Sequence, residues 1–77
     1  MAHEFFCDKL VYTRIERGLK QKEVAEQIGI TVRAYQAYEY GDRVPTSDVL
    51  LKIINFFQFN IFDVQKLIEN QKHRSTP

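Results

Sequence analysis

Two short helical patterns, Gln21 to Ile28 and Thr31 to Tyr40, lie almost end to end with only Gly29 and Ile30 between them. A connection this brief makes the two helices meet at a steep angle. That geometry needs a small residue where they approach and a residue that tolerates positive φ in the turn. Ala25 and Gly29 fill those two roles. In the first helix Val24, Ala25 and Ile28 share one face, with Lys22, Glu23, Glu26 and Gln27 elsewhere. Ile30, Tyr35 and Tyr38 supply apolar surface where the second helix must touch it. The pair cannot bury these faces alone, so the rest of the chain has to cover them.

The flanking segments are suited to that task. A helix is predicted from about His3 to Arg17, with Phe6, Leu10 and Thr13 as an i, i+4, i+7 stripe, and Gly18 in a position suited to a left-handed cap. Thr31 offers a hydroxyl N-cap to the third helix, and Gly41 stops it. Val44-Pro45 reads as a loop, because proline disfavours helical geometry in the preceding residue. Thr46 or Ser47 can cap a fourth helix with Asp48 in its first turn and Val49, Leu50, Ile53, Ile54 and Phe57 as its apolar face. Asn60 followed by Asp63 resembles a capping box that opens a fifth. Strand-like alternation and internal repeats are absent. The fold class expected is all-α with five helices, the folded domain spanning residues 1–69 and a polar, frayed tail spanning 70–77.

Composition excludes more than it assigns. At 77 residues, with 44% hydrophobic and 27% charged side chains, the chain suits one globular domain. A single cysteine, Cys7, cannot form a disulfide within the chain, so nothing points to an oxidising compartment. The opening Met-Ala-His-Glu lacks a basic export region, and the most apolar stretch, Ile53 to Phe62, is interrupted by Asn55, Gln58 and Asn60. A cytoplasmic protein with no membrane association is expected. His3 and Cys7 have i, i+4 metal-ligand spacing, but no second pair completes a site; no metal or cofactor is expected, and Cys7 reads as a small buried residue. Ser47, Ser75, His3 and His73 do not make a nucleophile and base set, so the chain is not read as an enzyme. Eleven Lys and Arg against ten Asp and Glu give a net charge of +1, which by itself does not suggest nucleic acid. Any such reading must rest on where residues fall.

The spacing from Gln21 to Glu39 is that of a helix-turn-helix. Around it, the chain resembles the Xre-type helix-turn-helix proteins, which include the phage repressors and Cro, from roughly Phe6 to Val64. The resemblance rests on Arg14, Gly18-Leu19, Gln21, Val24-Ala25, Gly29-Ile30-Thr31, Tyr38-Glu39, Gly41, Pro45-Thr46 and Leu51-Lys52-Ile53. It implies a five-helix bundle of the phage-repressor type whose third helix enters the major groove of double-stranded DNA. It also implies an ion pair between Arg14 and Glu39 that ties the first helix to the third. The chain departs from the family pattern in four places. Lys20 stands where Ser or Thr commonly caps the second helix, Thr13 replaces an aliphatic core residue, and Tyr40 and Asp42 replace frequent Asn and Lys.

The third helix can be read independently of the resemblance. At about 100° per residue, Val32, Arg33, Gln36, Ala37 and Tyr40 fall on one arc and Ala34, Tyr35, Tyr38 and Glu39 on the other. The first arc joins a guanidinium suited to guanine, an amide suited to adenine and small apolar groups suited to a thymine methyl, so Val32, Arg33, Gln36 and Ala37 are the expected base readers. Lys20, Gln21, Tyr40 and Arg43 are the expected phosphate contacts. Phe56, Phe57, Phe59, Ile61, Phe62 and Val64 carry more apolar surface than one small core consumes, which places Phe59 and Phe62 at an expected homodimer interface. The function expected is a dimeric transcriptional repressor on an inverted-repeat operator. The alternative is a protein-interaction module or antitoxin-type partner protein on the same fold, with weak or no DNA binding of its own.

Overall fold

The structure, a computed structural model, describes residues 4–74 and consists there of α1 (Phe6–Glu16), α2 (Gln21–Ile28), α3 (Val32–Tyr40), α4 (Ser47–Phe57) and α5 (Ile61–Arg74), with no strand among the described residues. The helix-turn-helix segment has the bounds its pattern requires. Gly29 closes α2 at φ 78°, and the N–H groups of Gly29 and Ile30 both return to the Ala25 carbonyl. A Cβ on Gly29 would meet open space, so the position demands positive φ and not room. Thr31 then caps α3, its Oγ1 accepting from the Ala34 N–H at 3.1 Å.

The core draws on every helix. Phe6 and Leu10 of α1, Val24, Ala25 and Ile28 of α2, Tyr35 and Tyr38 of α3, Ile53 and Phe57 of α4, and Val64, Leu67 and Ile68 of α5 form one buried cluster. In it α1 packs on α3 and α5, and α2 packs on α3 and α4. The helix-turn-helix is thus clamped from both sides, with Tyr35 and Tyr38 carrying α3 into the core. Arg17, which the sequence did not single out, joins α1 to α4. Its guanidinium donates to the carbonyls of Phe57 (2.6 Å) and Phe56 (3.4 Å) at the C-terminus of α4 and lies over the Phe57 ring.

Three expectations about helix ends need correction. α1 begins at Phe6, and His3 lies outside the described residues. Thr46 occupies the N-cap of α4 without making a side-chain capping bond. The expected frayed tail from residue 70 is instead helix to Arg74, while residues 75–77 lie outside the described ones. The cause is periodic: Val64, Leu67, Ile68 and Gln71 recur on one face, and all four are buried. The Gln71 Oε1 accepts the Cys7 N–H at 2.8 Å, one of the donors that the first turn of α1 cannot satisfy itself. Asn70 donates from Nδ2 to the Glu4 carbonyl at 3.1 Å. The packed domain therefore extends past residue 69, and Cys7 is buried beneath this clasp. No helix among the described residues is long and apolar enough to cross a membrane.

Candidate nucleic-acid interface

The two arcs of α3 separate as its periodicity requires. Tyr35, Tyr38 and Glu39 are buried, while Val32, Arg33 and Tyr40 are exposed and Gln36 and Ala37 half-buried. Arg33 and Ala37 line an open groove of about 360 Å³ together with Thr31, Ala34, Asp42 and Arg43. The groove offers a guanidinium and a methyl on one helix, flanked by a second arginine, and Gln36 adds an amide on the same arc. Those are the groups that base edges in a major groove recognise. Asp42 at its margin opposes any phosphate there.

The Arg14–Glu39 ion pair joins α1 to α3. Arg14 Nε reaches Glu39 Oε2 at 2.6 Å and Nη2 reaches Oε1 at 3.1 Å, a forked contact, while Nη1 donates to the Leu19 carbonyl at 2.9 Å. The Glu39 side chain is only 1% exposed and that of Arg14 15%. Burial alone pushes the Glu39 carboxyl upward and is the largest single influence on it. The Arg14 bond and charge, with help from Gln21 and the neighbouring Tyr35 hydroxyl, outweigh burial and hold Glu39 below its ordinary 4.5. The Tyr35 hydroxyl is buried beside the pair without a well-formed hydrogen bond, and that burial, reinforced by Glu39, drives its phenol well above the usual range.

Gln21 and Gln36, predicted to touch phosphate and base respectively, are joined to this pair. Gln21 Nε2 donates to Glu39 Oε1 at 2.9 Å, and Gln36 Nε2 donates to Gln21 Oε1 at 3.0 Å. The side chain of Gln21 is thus largely committed inside the protein; its backbone N–H, in the unpaired first turn of α2, remains suited to phosphate. Lys20, Arg43 and Tyr40 are exposed. At the N-cap of α2 the lysine side chain cannot accept a bond, so only the reverse half of a capping box forms, the Lys20 N–H donating to Glu23 Oε1 at 2.8 Å.

The aromatic cluster divides differently from expectation. Phe59 is half-buried by its own chain, stacked on Phe57 at 5.1 Å between centroids with the Lys9 ammonium 4.9 Å above its ring. It packs against the edge of the core and remains partly exposed. Phe62 is 75% exposed, with Ile61 next to it at 43%. Asn60 holds them there by capping α5, its Oδ1 accepting the N–H groups of Phe62 and Asp63.

Two short helices joined through Gly29 and clamped by α1 and α4 define the class of a helix-turn-helix domain. A family model described as helix-turn-helix matches residues 10–64, and the chain belongs to that family, in agreement with the resemblance seen in the sequence. Over 67 residues, 87% of the chain, it is 34% identical to an uncharacterized HTH-type transcriptional regulator, YqaE, of Bacillus subtilis (strain 168). Over 52 residues, 68% of the chain, it is 38% identical to the cryptic phage CTXphi transcriptional repressor RstR of Vibrio cholerae. These matches take in 58% and 47% of the two relatives, so the chain spans about half the length of the curated relatives it matches. Both relatives bear the names of transcriptional regulators and not of enzymes. No solved structure matches the chain.

Proposed function

We propose that this chain is a cytoplasmic transcriptional repressor that binds an inverted-repeat DNA operator as a homodimer. The observation that carries the proposal is the outer arc of α3, where Val32 and Arg33 are exposed and Gln36 and Ala37 half-exposed on a helix whose inner face is buried. In this reading those four side chains read base edges. Lys20, Tyr40, Arg43 and the first-turn amides of α2 hold the phosphate chain. The sign of regulation is supported by the similarity to RstR, a repressor by name. Repression then follows from occupancy of a site that polymerase needs.

Size supports the dimer. Half-sites one helical turn apart lie about 34 Å from centre to centre, and the domain measures 33 × 24 × 20 Å. Two copies on successive major grooves are therefore close enough to touch. The exposed Phe62, with Ile61, offers apolar surface for that contact.

The test is a fluorescence titration of the protein with DNA from upstream of its own gene, and with random DNA, at two salt concentrations. Specific binding that weakens as salt rises is expected. A second reading, a protein-interaction module, draws on the net charge of only +1. It predicts no salt-sensitive DNA binding in the same titration.

A further inference from the structure

Glu39, Gln21 and Gln36 form a chain of hydrogen bonds that runs from the buried ion pair to the outer arc of α3. Its direction follows from chemistry. A carboxylate only accepts, so the Gln21 side chain must turn its NH2 group toward Glu39. Its carbonyl oxygen then faces Gln36, which can meet an oxygen only with its own NH2 group. The amide of Gln36 is thereby set in one of its two orientations, with Oε1 and one N–H left over. An acceptor beside a donor is the pattern that matches N6–H and N7 of adenine.

From this we infer that Gln21 is a positioning residue for base recognition, fixing the side-chain amide of Gln36 so that this half of the DNA face is assembled before DNA arrives. The inference rests on the reading of α3 as the base-reading helix and deepens it by naming what sets one reader's orientation and which base it selects. Without the chain of bonds Gln36 would rotate freely and flip between two faces, and its preference for one base would be diluted by the ordering it needs on binding. In this role the Gln21 side chain acts through Gln36, whatever phosphate its backbone N–H meets.

The experiment selects bound sequences from a random DNA pool with the full chain and with its Gln36→Ala, Gln21→Met and Arg33→Ala variants, after each is matched to the parent in helical signal. Gln36→Ala should lose about tenfold or more of the preference for adenine at one base pair per half-site. Gln21→Met should relax that same base pair by roughly three- to tenfold and leave the one set by Arg33 unchanged, a pattern that general loosening of the fold would not produce. If Gln36→Ala relaxes a base pair and Gln21→Met does not, the positioning role is overturned while base reading by α3 survives. If Gln36→Ala relaxes none, the reading of Gln36 fails and this inference fails with it. A measurement on the free parent protein decides the matter even if Gln21→Met does not fold. The side-chain amide of Gln36 should show slow-motion NMR relaxation close to that of the backbone, whereas the exposed Gln27 and Gln65 should not. Equal mobility of all three amides would overturn the inference.

Discussion

Replacing Arg14 by methionine should be among the most damaging single changes this chain can suffer. Arg14 gives Glu39 two of the three hydrogen bonds that its carboxylate accepts, the third coming from Gln21, and the Glu39 side chain is only 1% exposed. Removing the guanidinium leaves a charge in the interior with only neutral groups beside it, the Gln21 amide and the Tyr35 hydroxyl. Breaking one side of a buried pair costs about 3–5 kcal/mol. A domain of this length is stable by about 4–12 kcal/mol, so the loss is a large fraction of the total. It corresponds to a fall in Tm of about 12 °C or more. The double variant Arg14→Met, Glu39→Leu removes both charges and should recover much of the loss, because the penalty belongs to the stranded carboxylate. Acid provides a second reading of the same interaction. The carboxyl of Glu39 is held below its unfolded value of 4.5, so its contribution is complete above that pH and disappears as pH falls through the folded value. Stability of the parent should therefore decline more steeply in acid than that of the double variant. Urea denaturation followed by circular dichroism measures both effects. A cost for Arg14→Met under about 1 kcal/mol, the range of an exposed pair, would refute the reasoning.

Phe62→Glu should place a charge on each side of the proposed homodimer contact, shift the protein to monomer and weaken operator binding; an unchanged dimer in sedimentation removes Phe62 from the interface. Gln71→Leu leaves the Cys7 N–H without its acceptor and should cost about 1–3 kcal/mol in a thermal melt, whereas no cost would mean the clasp of α5 on α1 is dispensable. Gln58 ends α4 at φ 61°, so Gln58→Gly should stabilise the fold by about 0.5–1 kcal/mol, which a raised midpoint in urea would register. On the proposed DNA face, Arg33→Ala should cost about 1–3 kcal/mol on operator and much less on random DNA. Lys20→Ala should weaken both DNAs alike and lower the salt dependence by about one counterion per monomer; equal losses for Arg33→Ala on the two DNAs would show that it reads no base.

Local chemistry made the helix-turn-helix legible. Gly29 and Gly41 have to take positive φ, Thr31 has to cap, and the apolar spacing leaves one face for the core, so the bounds of α2 and α3 followed from residues close together in the chain. The end of α5 did not, because Gln71 is polar. Its place on the buried face is visible only if the spacing of Val64, Leu67 and Ile68 is carried one turn further, and its reason, the Cys7 N–H, lies 64 residues away. Phe59 and Phe62 look alike in sequence and differ in structure because of what lies between and before them. The left-handed conformation of Gln58 turns the chain so that the Phe59 N–H returns to the Ile54 carbonyl at 3.0 Å and its ring folds back on Phe57. Asn60 then starts a new helix with Phe62 facing outward. Gln21 was legible as a helix-terminal residue but not as a partner of Glu39 and Gln36, which stand 18 and 15 residues further on.

The small net charge, which pointed away from nucleic acid, takes on a different meaning once the site is in place. Affinity for DNA of any sequence comes from phosphate neutralisation, and each neutralised phosphate adds about 0.9 to the slope of binding against salt. On the proposed face the phosphate contacts with full charge are Lys20 and Arg43, with Asp42 opposing them beside the groove. A dimer built this way has a salt slope of roughly −4, well short of repressors that make ten such contacts. Its grip on random DNA is accordingly weak, and little protein is lost to the excess of non-operator sites. In this proposal most of the discrimination must then come from α3, through one guanidinium and one amide at each half-site. With so few contacts, disorder in either one takes a larger share of the binding free energy than it would in a strongly basic domain. That is the condition under which a fixed Gln36, anchored through Gln21 to a buried carboxylate, makes the most difference to which sequence is bound.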